Sequence, residues 1–258
     1  MDRIDQRLLR LLQQRTKLST EIGRTKRRHG AEIYVPDRER ELLARVAKLA
    51  NGKLPGPAVG AIFREILSSS RAAQGQAPIG VLQRTAAAVV PVARCHFGAC
   101  DRFAIVAGWP EMKRQLLAGE LTIGLLTFAD LAALGRVAHG AFPGEVQVVG
   151  EMVASTEARG LEDRIFIVKA SVGAPEGKRA LILIECKPEA DAVNYVISAM
   201  PRVPNLVQMT PLPGRARTKV CLTAVTFSRP VKMESLSSGE NRVGSVLGIY
   251  TLDESYAG

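Results

Sequence analysis

The sequence predicts a three-helix N-terminal domain followed by a multidomain α/β region, and three observations predict it. Residues 1–74 carry apolar side chains at helical spacing: Ile4, Leu8, Leu11, Leu12, Leu18 and Ile22 share one face at about 100° per residue. Gly75-Gln76-Ala77-Pro78 then interrupts the pattern, and beyond it glycine is frequent and short apolar runs alternate with helical stretches. From Arg179 the order becomes strand, helix, strand, strand, as in a ferredoxin-like unit. The boundaries read from these shifts are residues 1–76, 77–176 and 177–258.

In order, the first helix is expected from Asp2 to His29, with Gly30 as its stop and the Arg24–Arg28 cations suiting its C-terminal dipole. Pro36 and Asp37 mark the start of a second helix that ends at Asn51-Gly52. Pro55-Gly56-Pro57 is a rigid turn into a third helix ending near Ala73. Strands are expected at Phe103–Ala107, Leu121–Leu126, Val146–Val153 and Arg164–Val168, with a helix at Glu111–Ala118. In the last unit strands are expected at Ala180–Cys186, Val207–Thr210, Val220–Phe227 and Val246–Tyr250, and a helix at Glu189–Met200.

Two cations break the first stripe. Arg15 and Lys26 fall on the face that Leu8, Leu12 and Ile22 define, and charges seldom sit on a core stripe unless something pairs with them. They lie three turns apart, about 16 Å along the axis, and both are long enough to clamp a small anion between them. The alternative is that both snorkel to solvent. On the third helix Ile62, Ile66, Ser70 and Gln74 are spaced by four, so an apolar stripe turns polar at its end, either to line a pocket between helices or to surface into water. The first helix, about 40 Å long, exceeds what one small domain covers, so a homodimer with interlocked helices is expected.

The residues Ile4-Asp5, Leu8-Leu9, Leu11-Leu12, Arg15, Ile22-Gly23, Lys26, Tyr34-Val35-Pro36-Asp37-Arg38-Glu39-Arg40, Ile62-Phe63-Arg64-Glu65-Ile66 and Ser68-Ser69-Ser70-Arg71 occur in order. Together they resemble the all-helical chorismate mutase domain, in the version fused to prephenate dehydratase. The resemblance implies an intertwined three-helix dimer that rearranges chorismate to prephenate in aromatic amino acid biosynthesis, with no cofactor. Carried over residue by residue, it implies that Arg15 and Ser70 bind a carboxylate and that Lys26 contacts a carboxylate and the ether oxygen. Arg38 (through its main chain) and Glu39 would hold the ring hydroxyl, and Gln74 would donate to the ether oxygen. The family also inserts an arginine from the partner chain, seven residues before the position of Asp5, which lies before Met1; Arg3, about 140° round the helix from it, is a poor substitute. Val35 stands where the family often has an aspartate.

His96-Phe97-Gly98, Leu116-Leu117-Ala118-Gly119-Glu120, Ile123-Gly124-Leu125-Leu126 and Gly150-Glu151-Met152-Val153 resemble the first lobe of prephenate dehydratase, and residues 178–228 stand where such enzymes carry an ACT regulatory domain. The departures are at the chemistry. Thr127-Phe128-Ala129-Asp130 replaces the Glu-Asn-Ser type motif, and Asp163-Arg164-Ile165-Phe166 replaces the Thr-Arg-Phe motif. About ten residues separate Val153 from Asp163, too few for a second lobe. Dehydratase activity is therefore expected to be absent, and the ACT-like segment lacks the motifs for phenylalanine. The competing reading of the whole chain is a non-catalytic pseudoenzyme that senses chorismate, prephenate or an aromatic amino acid.

Charge and composition narrow the classes further. The net charge of +10 would suit nucleic acid, but only 5% of residues are aromatic and no recognition motif stands out, so attraction of anionic metabolites is the preferred reading. Cys95, Cys100, Cys186 and Cys221 lack paired C-x-x-C spacing, so no metal site is expected and the thiols are read as free and buried. No run of about 18 or more apolar residues predicts a membrane span, and Met-Asp-Arg-Ile-Asp has no signal-peptide pattern, so a cytoplasmic location is expected.

Overall fold

The computed structural model describes residues 1–137, 145–153, 160–171, 176–186, 206–212, 219–232 and 245–250. Helix α1 (Asp2–Arg28) has Asp2 and Asp5 in its first turn and Lys26, Arg27 and Arg28 in its last, the order that its dipole favours. Helix α2 (Pro36–Ala50) starts on a proline, whose missing N–H costs nothing there, and ends on Asn51 in the left-handed region at φ 49°. Helix α3 (Gly56–Gln74) stops at Gly75, φ 79°. It lies against both α1 and α2. Where α1 crosses α3, a Cβ on Gly23 would sit 2.6 Å from Gln74 Cα, so the two backbones meet there only because residue 23 has no side chain.

The second layer begins with strand β1 (Ile79–Leu82), followed by α4 (Ala86–Phe97), β2 (Phe103–Val106), α5 (Trp109–Leu117), β3 (Ile123–Thr127) and α6 (Phe128–Val137). Strands β4 (Val146–Val153) and β5 (Arg164–Ala170) complete a five-stranded sheet of order β2-β1-β3-β5-β4. β1 pairs parallel with β2 and β3, and β5 pairs antiparallel with β3 and β4. One face packs Ile79, Val81, Ile123, Leu125 and Ile167 against Val89, Ala93 and Phe97 of α4. The other packs Leu126, Phe166 and Val168 against Met112 and Leu116 of α5.

Sequence periodicity does not anticipate β1, α4 or α6. β1 is four buried residues long, and α4 carries Pro91 in its interior and apolar side chains on several faces. The start of α6 explains Thr127-Phe128-Ala129-Asp130. Thr127 Oγ1 accepts from the Asp130 backbone N–H at 3.2 Å while an Asp130 carboxylate oxygen accepts from the Thr127 backbone N–H at 2.8 Å, a reciprocal capping box. Arg84 pairs with the same buried carboxylate at 2.6 Å. Arg164 pairs with Glu151 across β4 and β5.

The third unit is an antiparallel sheet of β6 (Glu176–Cys186), β7 (Leu206–Leu212), β8 (Lys219–Lys232) and β9 (Ser245–Tyr250) in the order β7-β8-β6-β9. With β8 antiparallel to both β6 and β7, those two run parallel, the arrangement of a ferredoxin-like strand set. The helix expected at Glu189–Met200 lies outside the described residues. Leu181, Ala224 and Leu247 join the core that holds Phe166. Cys95 and Cys100 are free but exposed, contrary to the buried thiols expected: Cys95 lies on the outer side of α4 and Cys100 in the loop after it. No described helix is long and apolar enough to cross a membrane.

The α1–α2 connection makes contacts that tie the helical layer to the α/β lobe. Tyr34, from the α1–α2 connection, is 5% exposed and packs edge-on to Phe97, ring centroids 5.7 Å apart. Glu32, beside it in sequence, pairs with Lys169 of β5.

Candidate active site

Helical geometry brings Arg15, Ser19, Ile22 and Lys26 to one line on α1, facing Leu67, Ser70 and Gln74 of α3. The start of α2 adds Arg38, Glu39 and Leu42, and the connection before it adds Ile33 and Val35. The cleft so formed spans about 600 Å³, including space open to solvent. All six residues singled out from the sequence (Arg15, Lys26, Arg38, Glu39, Ser70 and Gln74) line this one cleft, although they come from three helices.

Each is held differently. Arg15 Nη1 donates to the Ile66 carbonyl at 3.2 Å and to Ser70 Oγ. Ser70, 7% exposed, in turn donates to the Ile66 carbonyl at 2.7 Å. Partial burial lowers the Arg15 pKa from its ordinary value, yet a guanidinium stays charged. Lys26 Nζ donates to the Ile33 carbonyl at 3.2 Å. Burial and then the nearby Arg38 pull its pKa down, against Glu39 and Glu32, which raise it. Arg38 itself is exposed at the rim. The Gln74 side-chain oxygen is buried and has no hydrogen-bond partner among the described residues. No protein acceptor or donor therefore fixes that end of the amide, and half a turn about its last bond exchanges oxygen for NH₂.

Glu39 is the most constrained. Its two carboxylate oxygens accept from Arg71 Nη1 at 2.7 and 2.6 Å. Burial raises its pKa, Asp101 adds to that, and Arg71 works against both. Arg71 is 3% exposed. Burial disfavours its charge, but hydrogen bonds to Asp101 and the charges of Glu39 and Asp101 outweigh that and raise its pKa. Glu39, Leu67 and Arg71 also line a second cleft of about 620 Å³, with Tyr34, His96, Phe97 and Glu151, so the Glu39–Arg71 pair is a wall between two cavities.

Sequence reasoning assigned no role to Arg71, Asp101 or Ser19. A signal existed for Arg71: it follows the buried Leu67 by one turn, the same misplaced-cation pattern that picks out Arg15. Asp101 gives none, because it reaches Arg71 from another layer. Counted together, Arg15, Lys26, Arg38 and Arg71 face two carboxylates, Glu39 and Asp101, and leave two positive charges beside open space.

The sequence of residues 1–75 matches the family described as chorismate mutase type II. The chain is also similar to bifunctional enzymes. A bifunctional chorismate mutase/prephenate dehydratase of Aquifex aeolicus is 41% identical over 73 residues, 27% of this chain and 20% of that protein. One of Pseudomonas aeruginosa is 28% identical over 144 residues, 54% of this chain and 39% of that protein. The chain thus matches well under half the length of these relatives. The X-ray structure of prephenate dehydratase from Streptococcus mutans aligns with a TM-score of 0.39 at 12% identity, over 68% of this chain and 98% of that one.

Proposed function

We propose that the protein is a cytoplasmic chorismate mutase, converting chorismate to prephenate in a cleft on its helical domain, with no cofactor and no dehydratase activity. One observation carries the reading: six polar side chains from α1, α2 and α3 converge on a single cleft with an excess of two positive charges, the complement of a dianion.

The reaction is a pericyclic rearrangement of an enol ether and needs no nucleophile, metal or proton transfer. It is accelerated by holding the reactive diaxial conformer and by stabilising charge that builds on the ether oxygen. Arg15, its Nη1 already fixed by Ser70 and Ile66, presents the rest of its fork to one carboxylate. Lys26 reaches the other carboxylate and the ether oxygen. Glu39 and the Arg38 main chain hold the ring hydroxyl, and Gln74 turns its amide to donate to the ether oxygen.

The active species is a homodimer. Seven large apolar side chains of α1, from Ile4 to Ile22, are 40–60% exposed in the single chain, an apolar surface that a second α1 would cover. Residues 1–76 form the mutase domain, 77–176 a dehydratase-like lobe and 177–258 an ACT-like unit. Two features support the absence of dehydratase chemistry. β4 and β5 are antiparallel neighbours joined by only residues 154–163, and Asp130 is committed to capping α6 and pairing with Arg84.

The test is loss of chorismate absorbance on adding the purified full chain. Turnover is expected, and Arg15→Ala should lower it by about 10²-fold or more. No turnover, with chorismate still bound, would replace the enzyme by a sensor.

A further inference from the structure

We propose that Arg71, anchored by Asp101 of the α/β lobe, is the positioning residue for Glu39, so that the lobe sets the catalytic competence of the helical domain. The inference rests on the mutase reading of the cleft and extends it to a cation whose donors are all taken by protein acceptors.

Its basis is a complete account of one guanidinium. Arg71 has five N–H donors, and each has an acceptor. Nε donates to Asp101 Oδ1 at 3.2 Å, and Nη2 donates to Asp101 Oδ2 at 2.7 Å and to the Phe97 carbonyl at 2.5 Å. Nη1 donates to both oxygens of Glu39 at 2.7 and 2.6 Å. The Tyr34 ring lies 5.8 Å from the guanidinium carbon and closes another side. Three of the five donors, on one edge of a rigid plane, are thus spent on groups that follow α3: the end of α4 and the loop before β2. The remaining edge has no freedom, and Glu39 takes its orientation from it.

Asp101 is itself fixed. It is 6% exposed and accepts from Ser68 Oγ at 2.7 Å and Gln76 Nε2 at 3.1 Å, while Ser68 Oγ accepts from the Cys100 backbone N–H at 3.0 Å. The chain of contacts therefore runs from the α4–β2 loop, through two carboxylates and one guanidinium, to the cleft. A buried ion pair that served stability alone would have no need to share its cation with a half-buried carboxylate that opens onto a cavity.

Charges facing Glu39 come from every element around it: Lys26 on α1, Arg38 and Arg40 on α2, Arg64 and Arg71 on α3, His96 on α4, Asp101 in the loop and Glu151 on β4. Arg71 is bonded to both of its oxygens, so its removal shifts Glu39 toward its protonated form, and removal of Asp101 shifts it the other way.

The experiment is steady-state kinetics of chorismate turnover by the full chain, across about pH 5 to 9. Arg71→Met should lower kcat by about 10- to 100-fold with a smaller change in KM, because a misplaced Glu39 costs orientation more than affinity. Its acid limb should move to higher pH. Asp101→Asn should also lower kcat, with the acid limb moved to lower pH. Arg71→Lys keeps the charge but not the fork, and should restore the pH profile while kcat stays low. In a Glu39→Gln background, Arg71→Met should change kcat by less than about twofold, since the path through Glu39 is already cut. Wild-type kcat, KM and pH profile in Arg71→Met and Asp101→Asn, with Arg15→Ala inactive, would overturn the proposal. So would fully multiplicative losses in the Glu39→Gln background. If Arg71→Met fails to fold by circular dichroism, Arg71→Lys and Asp101→Asn decide by the same criteria. A wild-type chain without turnover would instead overturn the mutase reading itself.

Discussion

Strand β3 and helix α1 are built from the same aliphatic side chains and treat them in opposite ways. Ile123, Leu125 and Leu126 on β3 are 0% exposed, whereas Leu8, Leu9 and Leu11 on α1 are 53–59% exposed. The lobe closes its core within one chain, with α4 on one face of the sheet and α5 on the other. The helical domain gives its space between helices to cations, a carboxylate and an amide, and keeps its apolar stripe outside. On the proposed reading the helical domain is arranged around a ligand and a second copy, while the lobe is arranged around itself.

The sharpest way to break that contrast is in the lobe. Phe166→Ala should destabilise the chain by about 3–5 kcal/mol in a denaturant titration, because a fully buried ring leaves a cavity that packed neighbours cannot fill. A loss under about 1 kcal/mol would mean the lobe is not the closed core described. Next, Leu8→Asp with Leu12→Asp should halve the mass seen by sedimentation and cut turnover, with little change in the helical content of each chain. An unchanged mass would remove α1 from the dimer contact. A smaller effect tests the polar interior. An amide does not titrate, so wild-type activity should stay flat from about pH 6 to 8. Gln74→Glu needs its acid form to donate, and its activity should fall by about tenfold per pH unit above its pKa. Equal activity at both ends of that range would remove Gln74 from the ether oxygen.

The smallest effect belongs to the surface of the lobe. Arg114 holds the Glu111 carboxyl down to about 2, with help from Gln115. A carboxylate lowered in the folded state adds stability above its unfolded value of 4.5, and that contribution fades as pH falls toward 2. Arg114→Ala should return the Glu111 titration toward its ordinary value by NMR and lower the thermal midpoint at neutral pH only slightly, since both groups are solvated and screened. A clear drop in midpoint would show that surface pairs matter more here than the core argument allows.

Much of the helical domain was legible because its signals are local. Proline at the start of α2, Asn51 and Gly75 in left-handed geometry at the ends, and cations on an aliphatic stripe are each read within one element. The six cleft residues were legible only jointly, since Arg38 and Glu39 alone look like an ordinary helix surface. What was not legible depends on pairings distant in sequence. β1 becomes a strand because β2 and β3 flank it, and α4 tolerates Pro91 because its other side is buried on the sheet. Asp101 reads as a loop residue until Arg71, thirty positions earlier, turns out to need it.

Gly23 shows how such distant needs can be met by an omission. The amide of Gln74 stands at its height above Lys26 because α3 can lie directly on the bare backbone of α1. A single methyl at that crossing would lever the helix ends apart and widen the cleft that Lys26 and Gln74 line. The spacing of the charged groups is thus gauged by a residue that touches no ligand and bears no functional group, and Gly23→Ala would be a change of calibre rather than of chemistry.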